Sequence, residues 1–134
     1  MFKNCKKMKI RSFAKKSGTL IPISFKKNIP IKVKRIFFIL GKKSFVRGDH
    51  AHKKCSQFLF PILGKIHISS ENRSGKKNKV LNHKKKEGYL LKPLTWCKIK
   101  FLSKNSILMV ACDMEYSFKD YIEKYKDFKK IIKK

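Results

Sequence analysis

Acidic residues are scarce in this sequence of 134 residues. It contains 8 Asp and Glu against 36 Lys and Arg, which gives a formal net charge of +28 at pH 7. Such a charge attracts nucleic acids, acidic membrane surfaces and phosphorylated ligands. Arginine is also scarce, with Arg11, Arg35, Arg47 and Arg73 as its only members. Proteins that recognise nucleic acids favour arginine, whose guanidinium makes bidentate hydrogen bonds, and the lysines of this sequence are scattered. We therefore favour a solvated lysine surface over a nucleic-acid site.

Closely spaced cysteine pairs and long apolar runs are also missing. The four cysteines, Cys5, Cys55, Cys97 and Cys112, form no C-x-x-C pair, which argues against a zinc ribbon and a disulfide framework. We therefore expect free thiols in a reducing cytoplasm. Residues 1–9 are basic and lack the apolar core of a signal peptide, and no run approaches the length of a membrane span.

Short β-branched and aromatic runs, separated by turn residues, fill most of the chain. Their spacing predicts an all-β sandwich or barrel in one domain over residues 1–134, with the strands within about 9–113. The clearest strand is predicted at 31–40. Residues 65–69 alternate cleanly, so we expect them to pair with a strand inside 51–63. Residues 71–79 are polar and predict a hairpin turn.

The spacing of apolar residues changes in the last part of the chain. From residue 116 onward, apolar side chains recur at three- and four-residue steps, which predicts an amphipathic helix over about 117–133. Ser117 is the expected N-cap, with Asp120 in a capping-box position. We expect this helix to pack on the outside of the strands.

One motif concentrates the acid–base chemistry of the sequence. Gly48 is followed by His50 and His52, then by Gln57 and Gly64. Side chains two apart on a strand project from the same face, so the two imidazoles share one surface that Gln57 can join. The spacing of glycine, H-x-H, four residues, a polar position, six residues and glycine resembles the first motif of the cupins. This resemblance implies that the all-β fold is a cupin-type β-barrel or jelly roll with a C-terminal helix.

The same motif argues against a metal. Metal-binding cupins carry Glu where this chain has Gln57, and residues 88–97, where a second motif is expected, contain no histidine. His67 is assigned to half-buried or surface packing and His83 to solvent. Two readings of His50 and His52 remain: proton transfer next to a carbonyl, with Arg47 nearby to hold a phosphate or polarise an oxygen, or simple hydrogen bonding inside the barrel.

Longer stretches around the motif resemble the nucleotide-sugar 3,4-ketoisomerase family. The resemblance rests on residues 34–39, the RG-x-HAH-K core at 47–53 with Gln57, and the tail at 116–128. It implies an isomerase of deoxysugar biosynthesis that moves the keto group of dTDP-4-oxo-6-deoxyglucose from C4 to C3 through an enediol, without metal or cofactor. It also implies a cytoplasmic homodimer with exchanged N-terminal strands. It assigns proton transfer to His50 and His52, and substrate binding to Arg35, Phe37, Arg47, Gln57 and Trp96.

The chain departs from the family pattern at three places. Residues 15–18 read Lys-Lys-Ser-Gly where relatives carry Asp-x-Arg-Gly, Phe37 and Phe38 stand where tyrosines are common, and Cys97 follows Trp96. Loss of the phenols removes a group that could transfer protons. Two alternatives therefore stay open: a decayed cupin that binds a nucleotide sugar without converting it and, from charge alone, a basic nucleic-acid binder.

Overall fold

Two five-stranded sheets face each other in the computed structural model, which describes residues 5–133. The strands are β1 Cys5–Lys9, β2 Phe13–Lys15, β3 Gly18–Leu20, β4 Arg35–Lys42, β5 Val46–His52, β6 Gln57–Leu63, β7 Lys65–Asn72, β8 Gly75–Asn82, β9 Glu87–Leu91, β10 Trp96–Phe101, β11 Asn105–Cys112 and β12 Tyr121–Ile122. The first sheet has the order β1-β9-β6-β11-β4 and the second β12-β5-β10-β7-β8, while β2 and β3 form a separate hairpin. The described sheets form a jelly roll without closing into a barrel, and the all-β, cupin-type prediction is confirmed.

The first sheet buries side chains on both of its faces. Its inner face joins the core between the sheets through residues such as Leu59 and Val110. Its outer face, which includes Phe58 and Met109, is covered by apolar side chains from residues 21–33. Burial on both faces explains why β6 and β11 are continuous apolar runs, because a strand with one solvated face would alternate.

The chain crosses from one sheet to the other at Gly64. The segment 51–63 divides into the end of β5 and the whole of β6, and β7 pairs with β8 and β10 instead of β6. The predicted pairing of 65–69 with 51–63 is therefore wrong. Gly64 has a φ of 89°, and a Cβ on it would lie 2.9 Å from the carbonyl oxygen of Asn105, so glycine permits this crossing. A hairpin turn does lie within the predicted range of 71–79, but it covers only 72–75, because residues 75–79 already belong to β8.

The predicted C-terminal helix is too long. Helix α2 spans Tyr125–Ile132, whereas residues 118–120 form a 3-10 turn and 121–122 form β12. The side chain of Ser117 accepts no capping hydrogen bond from the backbone of the described residues, and α2 begins after Lys124, so the predicted N-cap of the helix is wrong. The reason is tertiary: Asp120 is bonded to the end of β5, and β12 pairs with that strand, which holds this segment extended.

Helix α2 is fastened to the second sheet by named contacts. Phe128 packs against Trp96 and Ile122, and Glu71 of β7 accepts hydrogen bonds from Tyr125 and Lys129. The other helix, α1, covers only Phe25–Asn28. Within residues 5–133, no helix has the length and apolar character that a membrane crossing requires.

Candidate active site

The two histidines of the motif share one face of β5, as predicted. Their ring centroids lie 5.1 Å apart in an edge-to-face arrangement, at the end of the strand where β5 is paired on both sides. Gly48 permits the close approach of β10, because a Cβ at this position would lie 2.9 Å from the carbonyl oxygen of Cys97. The strand pairing thus holds both imidazoles at a fixed position between β12 and β10.

A buried carboxylate orients His52. Asp120 Oδ2 lies 3.0 Å from His52 Nδ1, and the same carboxylate accepts backbone N–H groups from Lys54 at 2.7 Å and Cys55 at 3.3 Å. Because an ionised carboxylate only accepts hydrogen bonds, we assign the proton of the neutral ring to Nδ1. The Nε2 atom then carries the lone pair, and it is buried without a hydrogen-bond partner among residues 5–133.

Both imidazoles are held in their neutral form by burial. Burial lowers the pKa of His50 below its usual value, and the neighbouring His52 lowers it further. Burial also lowers the pKa of His52, although the hydrogen bond to Asp120 opposes this effect. Near neutral pH both rings can therefore accept a proton, which suits them to general-base chemistry.

Tyr121 of β12 completes the aromatic cluster. Its ring centroid lies 4.9 Å from that of His50 and 4.4 Å from that of His52, and the Arg35 guanidinium interacts electrostatically with its phenol. Burial raises the pKa of this phenol, although Arg35 opposes the rise. The chain therefore does place a phenol beside the histidines, even though residues 37 and 38 are phenylalanines.

A cleft of about 150 Å³ opens beside His50. Among the side chains predicted to form the site, it brings together Phe37, Arg47, His50 and Gln57, with Tyr121 at its wall. A smaller adjoining cavity, of about 10 Å³, shares His50 and Gln57 and is lined by His52. The cleft thus joins an acid–base pair, one cation and one amide.

Cys112 is hydrogen-bonded to two of the predicted substrate-binding residues. Its buried Sγ accepts hydrogen bonds from Arg35 Nη2 at 3.4 Å and from Gln57 Nε2 at 3.6 Å. Hydrogen bonds from Cys55, Gln57 and Arg35, together with the charge of Arg35, lower the pKa of Cys112. The Arg35 guanidinium also lies 5.5 Å from the centre of the Phe37 ring, which keeps this cation next to the cleft.

Trp96 is not brought into this cleft. Its Nε1 donates to Asp49 Oδ1 at 3.0 Å, and its ring packs on Phe128 and Tyr125 of α2. It lines a different cleft, of about 490 Å³, on the other side of β10. The alternation of the strand gives the reason, because Cys97 faces the histidines and its neighbour must face away.

The other two histidines lie outside the cleft. His67 is half-buried on β7, as expected. His83 is half-buried instead of facing solvent, because its Nδ1 accepts a hydrogen bond from the backbone N–H of Gly64 at 3.0 Å. Cys55, Cys97 and Cys112 carry thiols, as predicted, whereas the side chain of Cys5 lies outside the described part of the chain.

Three buried side chains lie close enough together to be considered as ligands of a metal ion. His52, Cys55 and Asp120 have potential ligand atoms within 4.8 Å of one another. However, His52 Nδ1 and the Asp120 carboxylate are already bonded to each other. A hydrogen bond to Cys112 and burial raise the pKa of Cys55, which keeps its thiol protonated, whereas a metal binds a thiolate. The donor set therefore fits a hydrogen-bonded cluster better than a metal centre.

Two groups of this site were not assigned to it from the sequence. Asp120 was predicted as a capping residue and Tyr121 as part of the helix, although both fall within the tail at 116–128 that carries the family resemblance. Strand β12 is only two residues long, so no alternating pattern marked it. The resemblance of the tail was the one signal that pointed to this segment.

Comparisons with known proteins agree with the geometry. Residues 3–133 match the family model FdtA: WxcM-like, C-terminal. TDP-4-oxo-6-deoxy-α-D-glucose-3,4-oxoisomerase of Aneurinibacillus thermoaerophilus is 32% identical over 118 residues, which are 87% of this chain and 84% of the relative. QdtA, a sugar 3,4-ketoisomerase of Thermoanaerobacterium thermosaccharolyticum solved with TDP, superposes with a TM-score of 0.91 at 30% identity over 99% of this chain and 97% of that one.

A second structure of QdtA includes a sugar ligand. It is a histidine-to-asparagine variant in complex with TDP-4-keto-6-deoxyglucose, with a TM-score of 0.92 at 30% identity over 99% of this chain and 96% of that one. The likeness thus extends over nearly the full length of both chains.

Proposed function

This chain belongs to the FdtA family (WxcM-like, C-terminal), and on that premise we propose that it moves the keto group of TDP-4-oxo-6-deoxyglucose from C4 to C3. Its membership among the sugar 3,4-ketoisomerases makes it an isomerase. The observation that carries the proposal is the His50–His52 pair beside a cleft, with the tautomer of His52 set by Asp120. Two neutral imidazoles provide what a tautomerisation needs, and no step requires a metal or a redox cofactor.

His52 acts as the base in this proposal. Its Nε2 lone pair takes the proton from C3, the electrons of the C–H bond form the C3–C4 double bond, and the carbonyl electrons move onto the C4 oxygen. The protonated ring is stabilised by Asp120 in the manner of other histidine–carboxylate pairs. In the second half, C4 takes a proton from the histidine pair, the C3 hydroxyl becomes the ketone, and the proton that it loses is balanced by the proton that the C4 oxygen gains. His50, with its ring 5.1 Å from that of His52, shares this proton.

The substrate-binding groups surround the same cleft. Arg47 is assigned to the diphosphate or the sugar oxygens, since a guanidinium recognises such oxygens in a bidentate manner. Arg35 adds a second cation, and Gln57 and Phe37 contact the sugar. We leave Trp96 out of this set because it lines the other cleft.

We also propose a homodimer with exchanged N-terminal strands. Strand β4 is the edge of its sheet, and its outward side chains Ile36, Phe38 and Leu40 are 38%, 57% and 76% exposed. Hairpin β2–β3 is exposed at every residue and pairs with no other strand of the described chain. An apolar edge and an extended arm support exchange with a second copy. Light scattering on the purified protein tests this, and a monomeric mass would contradict it.

We place the protein in the cytoplasm. Cys55, Cys97 and Cys112 carry thiols instead of disulfides, which is the usual state in a reducing compartment. Expression followed by cell fractionation tests this placement, and recovery from an oxidising compartment would contradict it.

One NMR experiment separates the enzyme from a binding module. The protein is incubated with TDP-4-oxo-6-deoxyglucose in D2O, and both the product and the deuterium content at C3 are followed. An isomerase forms the 3-oxo sugar and exchanges the C3 proton. Binding of the nucleotide sugar without exchange or product would overturn the proposed reaction and favour the decayed cupin.

A further inference from the structure

We propose that Tyr121 is a further catalytic residue, which carries a proton between the two sugar oxygens while the histidines move the proton between the two carbons. This inference rests on the proposed isomerisation. It assigns a separate task to a residue that lies on a different strand from the histidines.

The first argument is position. Tyr121 is the cross-strand neighbour of His52 in the β12–β5 pairing, and its ring contacts both imidazoles. It is half-buried and lines the same cleft as His50, Arg47 and Gln57. A sugar whose C3 and C4 lie against the histidines therefore has its oxygens next to this phenol.

The second argument is the proton balance of the reaction. When the C3–H bond breaks, negative charge develops on the C4 oxygen, which needs a proton to become the enediol. When the C3 ketone forms, the C3 oxygen must release a proton. The two oxygens are on adjacent carbons, so one group can serve both. The phenol O–H bond breaks to protonate the C4 oxygen, and the phenolate then takes the proton of the C3 oxygen, which regenerates Tyr121.

The third argument is electrostatic support for the phenolate. The Arg35 guanidinium interacts electrostatically with the Tyr121 phenol, so a permanent positive charge stabilises the oxygen that becomes negative during the reaction. Burial raises the pKa of Tyr121, so the resting enzyme holds the protonated phenol that the first half-reaction consumes. A tyrosine at position 38 could not carry this proton, because the side chain of Phe38 faces outward and is 57% exposed.

The test is Tyr121→Phe, which keeps the ring between the histidines and removes only the oxygen. The matched control is Tyr125→Phe, because this tyrosine lies on α2, is 42% exposed and does not line the cleft beside His50. Both variants are incubated with TDP-4-oxo-6-deoxyglucose in D2O, and NMR follows deuterium entry at C3 and formation of the 3-oxo sugar separately. Circular dichroism compares the folding of each variant with that of the unchanged protein.

We expect Tyr121→Phe to slow isomerisation by about 10²-fold, the usual size of a lost acid–base group. Deuterium entry at C3 should fall less, since the histidines can still remove and return that proton, so the ratio of exchange to product rises. Tyr125→Phe should change neither rate. Isomerisation at the unchanged rate, or an equal loss of exchange and product, would overturn the role of Tyr121. An unchanged protein that neither exchanges nor isomerises would instead overturn the proposed function, and this inference with it.

Discussion

Two clefts lie on opposite sides of the same pair of strands. On β5 and β10, the side chains of Asp49, Trp96 and Lys98 line the outer cleft. Their sequence neighbours His50, Cys97 and Ile99 line the inner one. A step of one residue along each strand therefore separates two environments, as the alternation of a β-strand requires.

The proposed site differs from the outer cleft in its reactive groups and is the smaller of the two in volume. The outer cleft is larger, at about 490 Å³ against about 150 Å³. Its polar side chains make hydrogen bonds within the fold. Trp96 donates a hydrogen bond to Asp49, and Glu71 accepts hydrogen bonds from Tyr125 and Lys129. The inner side instead holds His52, whose buried Nε2 has no partner among residues 5–133. A buried polar atom left without a partner costs free energy, which is consistent with an atom kept for a substrate.

The strongest test of the inner cleft is His52→Asn. We expect the isomerisation rate to fall by about 10³-fold or more, because the proposed base is lost. The measurement is product formation by NMR under saturating substrate. His67→Asn is the matched control, since that histidine is half-buried on β7 away from the cleft, and it should keep the rate within about twofold. A His52→Asn protein with a near-normal rate would show that the inner cleft is not where the proton is removed.

Asp120→Asn tests the orientation of that base. An amide can donate a hydrogen bond to Nδ1, which would move the ring proton to Nε2 and remove the lone pair from the side of the cleft. We expect a loss of about 10²-fold in kcat with KM little changed, as expected for a group that sets the tautomer. Asp127→Asn, on the exposed side of α2, is the control. Equal rates for the two variants would contradict the role of Asp120.

The pH dependence of kcat/KM and of stability tests whether burial lowers the pKa values of His50 and His52. Because the pKa values of both histidines are lowered from 6.5, kcat/KM should stay level above pH 6.5 and fall by about tenfold per pH unit only at more acidic pH. The unfolded chain binds these protons more readily, so their contribution to stability is present above pH 6.5 and is lost as the pH falls towards the lowered values. Rate profiles and urea unfolding across pH measure both effects. An acidic limb centred above pH 6.5 would contradict the lowering.

The smallest expected effect on catalysis belongs to the outer cleft. Trp96→Phe should keep kcat/KM within about twofold, because the ring faces away from the histidines. It should lower the free energy of unfolding by about 1 kcal/mol through the lost hydrogen bond to Asp49. Steady-state kinetics and urea unfolding give the two values. A tenfold rise in KM would show that the outer cleft contributes to substrate binding and would remove the distinction between the two clefts.

Much of the fold follows from local patterns in the sequence. Alternating runs such as that of β7, with Ile66 and Ile68 turned into the core, specify strands because only one of their faces is solvated. The H-x-H spacing likewise determined that His50 and His52 share a face, since the two-residue repeat of a strand allows no other result. The family resemblance of the tail indicated that residues 116–128 matter, without indicating what they contact.

The contacts that make the site chemically specific were decided only by tertiary structure. Asp120 reaches His52 across 68 residues of sequence, and the same pairing replaces the predicted first turns of the helix with β12. Trp96 fell on the outer side because the register of β10 against β5 determines which neighbour faces the histidines. Sequence alone therefore determined the strands and the shared face of the histidine pair. Strand register and long-range hydrogen bonds selected the residues that complete the site, because these depend on how distant segments meet and leave no local periodic signal.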